Sequence, residues 1–154
     1  MRIVFVMGPV FSGKSIYIKK QFPDARVVKM KVYDEFISSA SDNDMMYELT
    51  ENAHYYCREA LVNTVRAAGE DETVVLEHPM LKRDARDFFL NAVREVTDRP
   101  VECVVLKTDP EEVKEIADHQ PAFIRLHDSE IGVMDIPGED EGFCSVTIVT
   151  NVLK

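Results

Sequence analysis

Gly8-Pro9-Val10-Phe11-Ser12-Gly13-Lys14-Ser15 stands directly after the apolar run Ile3-Val4-Phe5-Val6-Met7. The octet satisfies the pattern G-x-x-x-x-G-K-[ST], in which two glycines bound a turn that ends in lysine and a hydroxyl. The unbroken apolar run before it predicts a strand covered on both faces, as in a parallel sheet. Helix is expected from Lys14 to about Gln21. A loop between such a strand and helix turns its amides and the helix N-terminus toward one point, where an anion is stabilised. Lys14 would there reach the β- and γ-phosphates of a nucleoside triphosphate, and the Ser15 hydroxyl would ligate Mg²⁺. The residues expected to touch nucleotide are Gly8, Val10, Phe11, Ser12, Gly13, Lys14, Ser15 and Ile16.

Working outward, Pro23-Asp24 breaks the first helix, and Ala25 to Met30 is a second strand. Ser41 or Asp42 can cap a long helix, with Met46, Leu49, Ala53, Tyr56, Ala60, Leu61, Val65 and Ala68 on its apolar side and Gly69 as its C-terminal cap. Met45, Met46, Tyr47, Tyr55 and Tyr56 are expected to pack that helix. Thr73 to Leu76 is a third strand, followed by a helix burying Phe88, Phe89, Ala92, Val93 and Val96. Val101 to Leu106 is a fourth. Asp109-Pro110-Glu111-Glu112 then opens a helix, which Gln120-Pro121 closes. Ala122 to Phe143 has weak periodicity, and Ser145 to Thr150 is a last strand. This alternation specifies an α/β fold, a parallel sheet with helices on both faces.

With 154 residues, 45% apolar and 30% charged, the chain suits one folded domain, residues 1–154. Its net charge of −10 argues against nucleic acid as a partner, because that binding rests on Lys and Arg displacing counterions. Residues 107–142 hold eleven acids against three bases, so most of this charge lies in one stretch, read as a solvated acidic surface. The N-terminal apolar run is too short to span a bilayer, so no membrane association is expected. Cys57, Cys103 and Cys144 are odd in number and widely spaced, which suits a reducing, cytoplasmic setting better than a disulfide framework or zinc site. His119, His127 and Asp128 lack a metal-ligand spacing and are expected at the surface.

Glu77 ends the third strand, where a carboxylate can support the Mg²⁺ shell, while His78 beside it reads as a loop residue or a satisfied hydrogen bonder. The chain resembles the small P-loop kinases that include the kinase domain of phage polynucleotide kinase, chloramphenicol phosphotransferase and related nucleoside or sugar kinases. The likeness rests on the loop through Ser15, on Asp34-Glu35 after the second strand, and on Val74 to Glu77 followed by Arg83 and Arg86. It also rests on Asp109 to Glu112 after the fourth strand and on Pro137 to Phe143 before the last. The resemblance implies a three-layer P-loop NTPase fold with a five-stranded parallel core sheet and a lid-like segment at about residues 110–135. It implies transfer of phosphate from ATP or GTP to a hydroxyl of a small acceptor, such as a nucleoside, nucleotide or sugar-like molecule. Asp34 would be the base that accepts the acceptor's proton, with Glu35 as fallback. Residues 139–143 would lie near the nucleotide base.

Several positions depart from the family pattern. Phe11 stands for the usual glycine, Ile16 for a frequent threonine, and His78-Pro79 for a polar pair. The helix after the fourth strand lacks the family's arginines, which leaves Lys114 or Arg125 to stabilise the transferring phosphoryl group. Arg83 and Arg86 read either as acceptor or phosphate contacts or as one charged helix face. Besides the kinase, a nucleotide-binding module without transferase activity and an NTP hydrolase are compatible with these residues. A protein partner is not identifiable from them.

Overall fold

A computed structural model describes residues 1–29, 43–116 and 120–150. Five strands, β1 (Arg2–Met7), β2 (Arg26–Lys29), β3 (Thr73–Glu77), β4 (Val101–Lys107) and β5 (Ser145–Thr150), form one parallel sheet in the order β2-β3-β1-β4-β5. Helices α1 (Lys14–Gln21), α2 (Asn43–Ala67), α3 (Arg83–Arg94), α4 (Pro110–Ile116) and α5 (Pro121–Val133) lie between the strands, with a 3₁₀ turn at Glu139–Glu141. β1 is central because its run is apolar on both sides. Ile3, Phe5 and Met7 enter a core with residues of α2 and α3, while Val4 and Val6 face Ile18 of α1. Each such fully buried side chain is worth about 1.5–3 kcal/mol. The chain leaves β1 toward β2 and β3 on one side and later places β4 on the other. The carboxyl end of β1 therefore lies at the switch in strand order, where α/β sheets bind ligands.

The buried face of α2 runs through Ala53, Cys57, Leu61 and Val65. Tyr55 and Tyr56, expected to pack it, are exposed, their phenols in water while the smaller Cys57 takes the core position. Met45, Met46 and Tyr47 have side chains outside the described set, as do residues 30–42 with Ser41 and Asp42. Gly69 follows the helix, yet it is no left-handed cap: its amide donates to the Glu72 carboxylate and its carbonyl accepts from the Glu72 amide. Pro121 is the start of α5, at the first helical turn, where its missing amide costs nothing, so the segment expected to be irregular holds a 13-residue helix. Among the described residues no helix is long and apolar enough to cross a membrane.

Arg86 fixes the end of the molecule that carries the site. It is 1% exposed, on the same stripe of α3 as Phe89, Leu90 and Val93, so it is neither a phosphate contact at the surface nor part of a solvated charged face. Its Nε and Nη2 donate to both oxygens of buried Glu141 at 2.8 Å each, and Nη1 donates to the carbonyls of Met80 and Asp135. Nη2 also reaches the Asp135 carboxylate at 2.5 Å. Burial works against the guanidinium charge, and the hydrogen bonds to Glu141 and Asp135 outweigh it, so its pKa rises. Arg83 pairs in turn with Asp140 and Asp87. Within the stretch expected near a nucleotide base, Glu141 holds Arg86, and Phe143 packs edge-on against Phe5. Arg86→Met should cost about 3–5 kcal/mol in urea unfolding, because Glu141 is left buried without its partner. Adding Glu141→Leu should restore most of that loss; full additivity of the two changes would refute the pairing.

Candidate phosphate-binding site

The octet after β1 folds back over itself, and its shape follows from three backbone positions. Gly8 has no room for a side chain: a Cβ there would lie 2.9 Å from the Leu106 carbonyl of β4 and 2.7 Å from Ser12 Oγ. Gly13 turns the chain into α1 with φ 78°. Phe11 is left-handed as well, with φ 62°, so the loop keeps its geometry without the glycine usual in the resembling kinases, at a cost of about 1–2 kcal/mol. Neighbouring strand ends hold the loop. The Gly8 amide donates to the Pro79 carbonyl at 3.2 Å, and the buried Thr108 hydroxyl donates to the Ser12 carbonyl at 3.2 Å. α1 begins without a side-chain cap and without an acid in its first turn, so no residue of the helix itself offsets its positive dipole end.

Lys14 bends under the loop, where Nζ donates to the carbonyls of Gly8 at 2.9 Å and Pro9 at 3.0 Å. An ammonium has three donors, so one remains for an anion above. Burial pushes its pKa down to about 8, against the opposing pull of Glu130 and Glu77. The Ser15 hydroxyl donates to Glu77 Oε1 at 2.7 Å, which joins the first residue pair of α1 to the last residue of β3. These hard oxygens suit Mg²⁺, an ion commonly held by one or two protein oxygens together with substrate phosphates. Ile16 is exposed on the outer side of α1. Asp34 and Glu35 lie outside the described residues.

His78 is buried and satisfied. Its Nδ1 accepts the Met80 amide at 3.0 Å, so its hydrogen sits on Nε2 and is donated to His54 Nδ1, 3.1 Å away. Desolvation first, then the positive charge of His54 and Lys14, pushes its pKa down to about 3. Both rings pack on Phe89, tying α2 and α3 to the end of β3.

The far wall of the loop is α5. Glu130 Oε2 accepts the Val10 amide at 2.7 Å, and His127 Nδ1 lies 2.5 Å from the Val10 carbonyl, to which it must donate. His127, expected at the surface, is 1% exposed, because the loop covers it. Residues 127 and 130 are three apart and share one face of the helix. Arg125 is exposed, two residues before His127 and so on nearly the opposite side. Lys114, on α4, pairs with Glu111 at 3.1 Å. His119 lies outside the described residues. The role of His127 and Glu130 was not legible beforehand, since both contacts span more than a hundred residues.

No protein-family model and no curated protein matches the chain. Solved structures do. A Chloroflexus aurantiacus protein assigned provisionally as a kinase aligns with TM-score 0.67 and 13% identity over 97% of this chain and 84% of that one. A gluconokinase from Sinorhizobium meliloti 1021 gives 0.57 and 17% over 97% and 82%. Chaetomium thermophilum Kti12, solved with ADP-AlF3, gives 0.57 and 13% over 96% and 88%. At these identities the likeness establishes the fold alone: an α/β architecture with a five-stranded parallel sheet, as the alternation of strands and helices predicts.

Lys14 supplies a pH signature for any polyphosphate seated here. In the free protein its charge is lost as pH rises through about 8, whereas a bound polyphosphate favours the charged form. Binding should therefore take up a proton above pH 8, with affinity falling toward roughly tenfold per pH unit. Titration calorimetry at about pH 9 in two buffers of different ionisation enthalpy checks this. Identical heats in both buffers would show that Lys14 does not meet the ligand.

Proposed function

We propose that this protein is a phosphotransferase that moves the terminal phosphate of ATP or GTP to a hydroxyl of a small acceptor, such as a nucleoside, nucleotide or sugar-like molecule. The observation that carries the reading is the conjunction of a left-handed loop, a half-buried Lys14 beneath it, and a Ser15 hydroxyl 2.7 Å from Glu77 at the carboxyl edge of the sheet. Bound Mg²⁺ would neutralise charge on the phosphate oxygens. The chain's own contribution is positioning and electrostatics, which phosphoryl transfer mostly requires. Lys14 offers its remaining donor to the phosphates. Ser15 and Glu77 supply oxygens for the ion. Asp34 is the proposed base, and Arg125 the proposed lid cation, which would reach the phosphates only if α5 turned from its present orientation.

One observation favours a second reading, a nucleotide-binding module with little or no transfer. The face of α5 toward the loop carries His127 and Glu130 and no arginine, and the nearest lid lysine is paired with Glu111. A single experiment separates the two. Mg-ATP and Mg-GTP are offered with nucleosides, nucleotides, short 5′-hydroxyl oligonucleotides and sugar-like alcohols, and products are read by mass spectrometry. The kinase reading expects one acceptor class to gain a phosphoryl group and Lys14→Ala to lower the yield by about 100-fold or more. Glu77→Gln should raise the Mg²⁺ concentration for half-maximal turnover by about tenfold or more. Nucleotide binding without any modified acceptor would favour the module, and turnover without acceptor a hydrolase.

A further inference from the structure

Val10 is gripped from outside its own loop. Its N–H and its C=O, the two polar groups of its backbone, are each bound by a side chain of α5: Glu130 accepts from the amide at 2.7 Å and His127 donates to the carbonyl. Two residues one helical turn apart therefore read both groups of a single loop residue, and the helix is seated on the loop in one register. His127 is fully covered in this arrangement, and its Nε2 finds no partner among the described residues. Burying such a nitrogen costs free energy that solvent exposure would relieve. The contact thus holds a price that opening the helix returns.

What Glu130 does at the loop follows from its neighbours. A carboxylate oxygen that accepts a loop amide, within electrostatic reach of Lys14, has the partners a phosphate oxygen would have. Packing alone does not require an acid there. The remaining polar residues of α5, Arg125, Asp128 and Ser129, are exposed, so the helix directs its one partly buried acid at the loop and its arginine away. Lys14 serves the β- and γ-phosphates in loops of this pattern. A carboxylate on the amide of Val10 and within the field of Lys14 therefore stands at the terminal-phosphate end. Two anions cannot share that position, since at a few ångströms in a partly desolvated site their repulsion is strong and weakly screened.

Resting on the phosphate-binding reading given above, we infer that Glu130 is a resident anion at the terminal-phosphate end of the loop, which a nucleoside triphosphate displaces by lifting α5 and which a diphosphate leaves in place. Glu130 is then a specificity-determining residue. It lowers affinity for triphosphates relative to diphosphates, because only the fraction of molecules with α5 lifted accepts the third phosphate. Ligand binding and lid position become one equilibrium.

The test compares the intact wild-type chain with Glu130→Gln, whose amide keeps an acceptor oxygen for Val10 and removes the charge. Affinities for Mg-ATP, Mg-ADP, Mg-GTP and Mg-GDP are measured by calorimetry, with thermal melts to check that both proteins are folded. The expected result is triphosphate binding tightened by about tenfold or more and diphosphate binding changed by less than about threefold. Equal changes for both, no change, or weaker triphosphate binding in the variant would overturn the proposal while wild-type binding upheld the phosphate site. Binding of no nucleotide by either folded protein would refute the phosphate-binding reading and this inference with it. Hydrogen exchange on the wild type gives an independent answer. A saturating Mg-triphosphate should protect the loop amides and speed exchange across Pro121–Val133, the opposite of what a lid closing on ligand would give; joint protection of loop and α5 would overturn the idea.

Discussion

The absence of a side chain at position 8 is the constraint from which the rest of the site follows. The chain leaves the central strand so close to β4 that even a methyl group would strike the Leu106 carbonyl. That approach lets the loop lie flat against the strand ends, where Pro79 and Thr108 hold it through the Gly8 amide and the Ser12 carbonyl. Once the loop is seated there, Lys14 has only the space beneath it, and its ammonium meets the carbonyls of Gly8 and Pro9. Ser15 comes opposite Glu77 because β1 and β3 are neighbours in register, with Val6 beside Glu77. Backbone sterics at one residue and parallel strand pairing together bring three functional groups to one edge.

A second layer keeps that edge rigid. Met80 links two networks, giving its amide to His78 and its carbonyl to Arg86. Through His78 the end of β3 is joined to α2, and through Arg86 to the turn at Glu139–Glu141 and to Asp135. Ionic and neutral groups are both used, and in each case every partner is close and well matched, as a buried polar network must be to avoid destabilising its surroundings. The strip of acids that looks like surface charge in the sequence is partly internal wiring: Glu141 is buried, and Glu130 is turned inward.

Much of this was legible from residue patterns where the cause is local. Five strands could be read because each is a short run rich in β-branched residues, and the loop because glycine, lysine and serine fall at fixed intervals between a strand and a helix. The start of α4 was legible too, since Asp109 accepts the Glu111 amide at 2.8 Å as its capping role requires. What escaped depends on distant contacts. Arg86 looks solvated among Lys82, Arg83, Asp84 and Asp87, and its partner Glu141 is 55 residues away; only its place three before Phe89 and seven before Val93 marks it as inward. α5 was hidden by Pro121, which reads as a helix breaker yet opens α5, and by apolar residues such as Leu126, Ile131 and Val133 that remain exposed and draw no single stripe. His127 and Glu130 acquire meaning only from the loop they touch.

Phe11 has a consequence for entropy. A glycine at that position would reach the same left-handed geometry freely, and it would also sample many others, both in the unfolded chain and in the free loop. Phenylalanine costs local strain, but it leaves the unfolded chain fewer backbone states to lose and gives the folded loop little freedom once the left-handed well is occupied. Less ordering then remains to be done when a ligand arrives, which is the physical meaning of preorganisation. The loop is in this sense cast before it is filled, and variation in its affinity should be governed by which groups compete for it and scarcely by how often it takes the right shape.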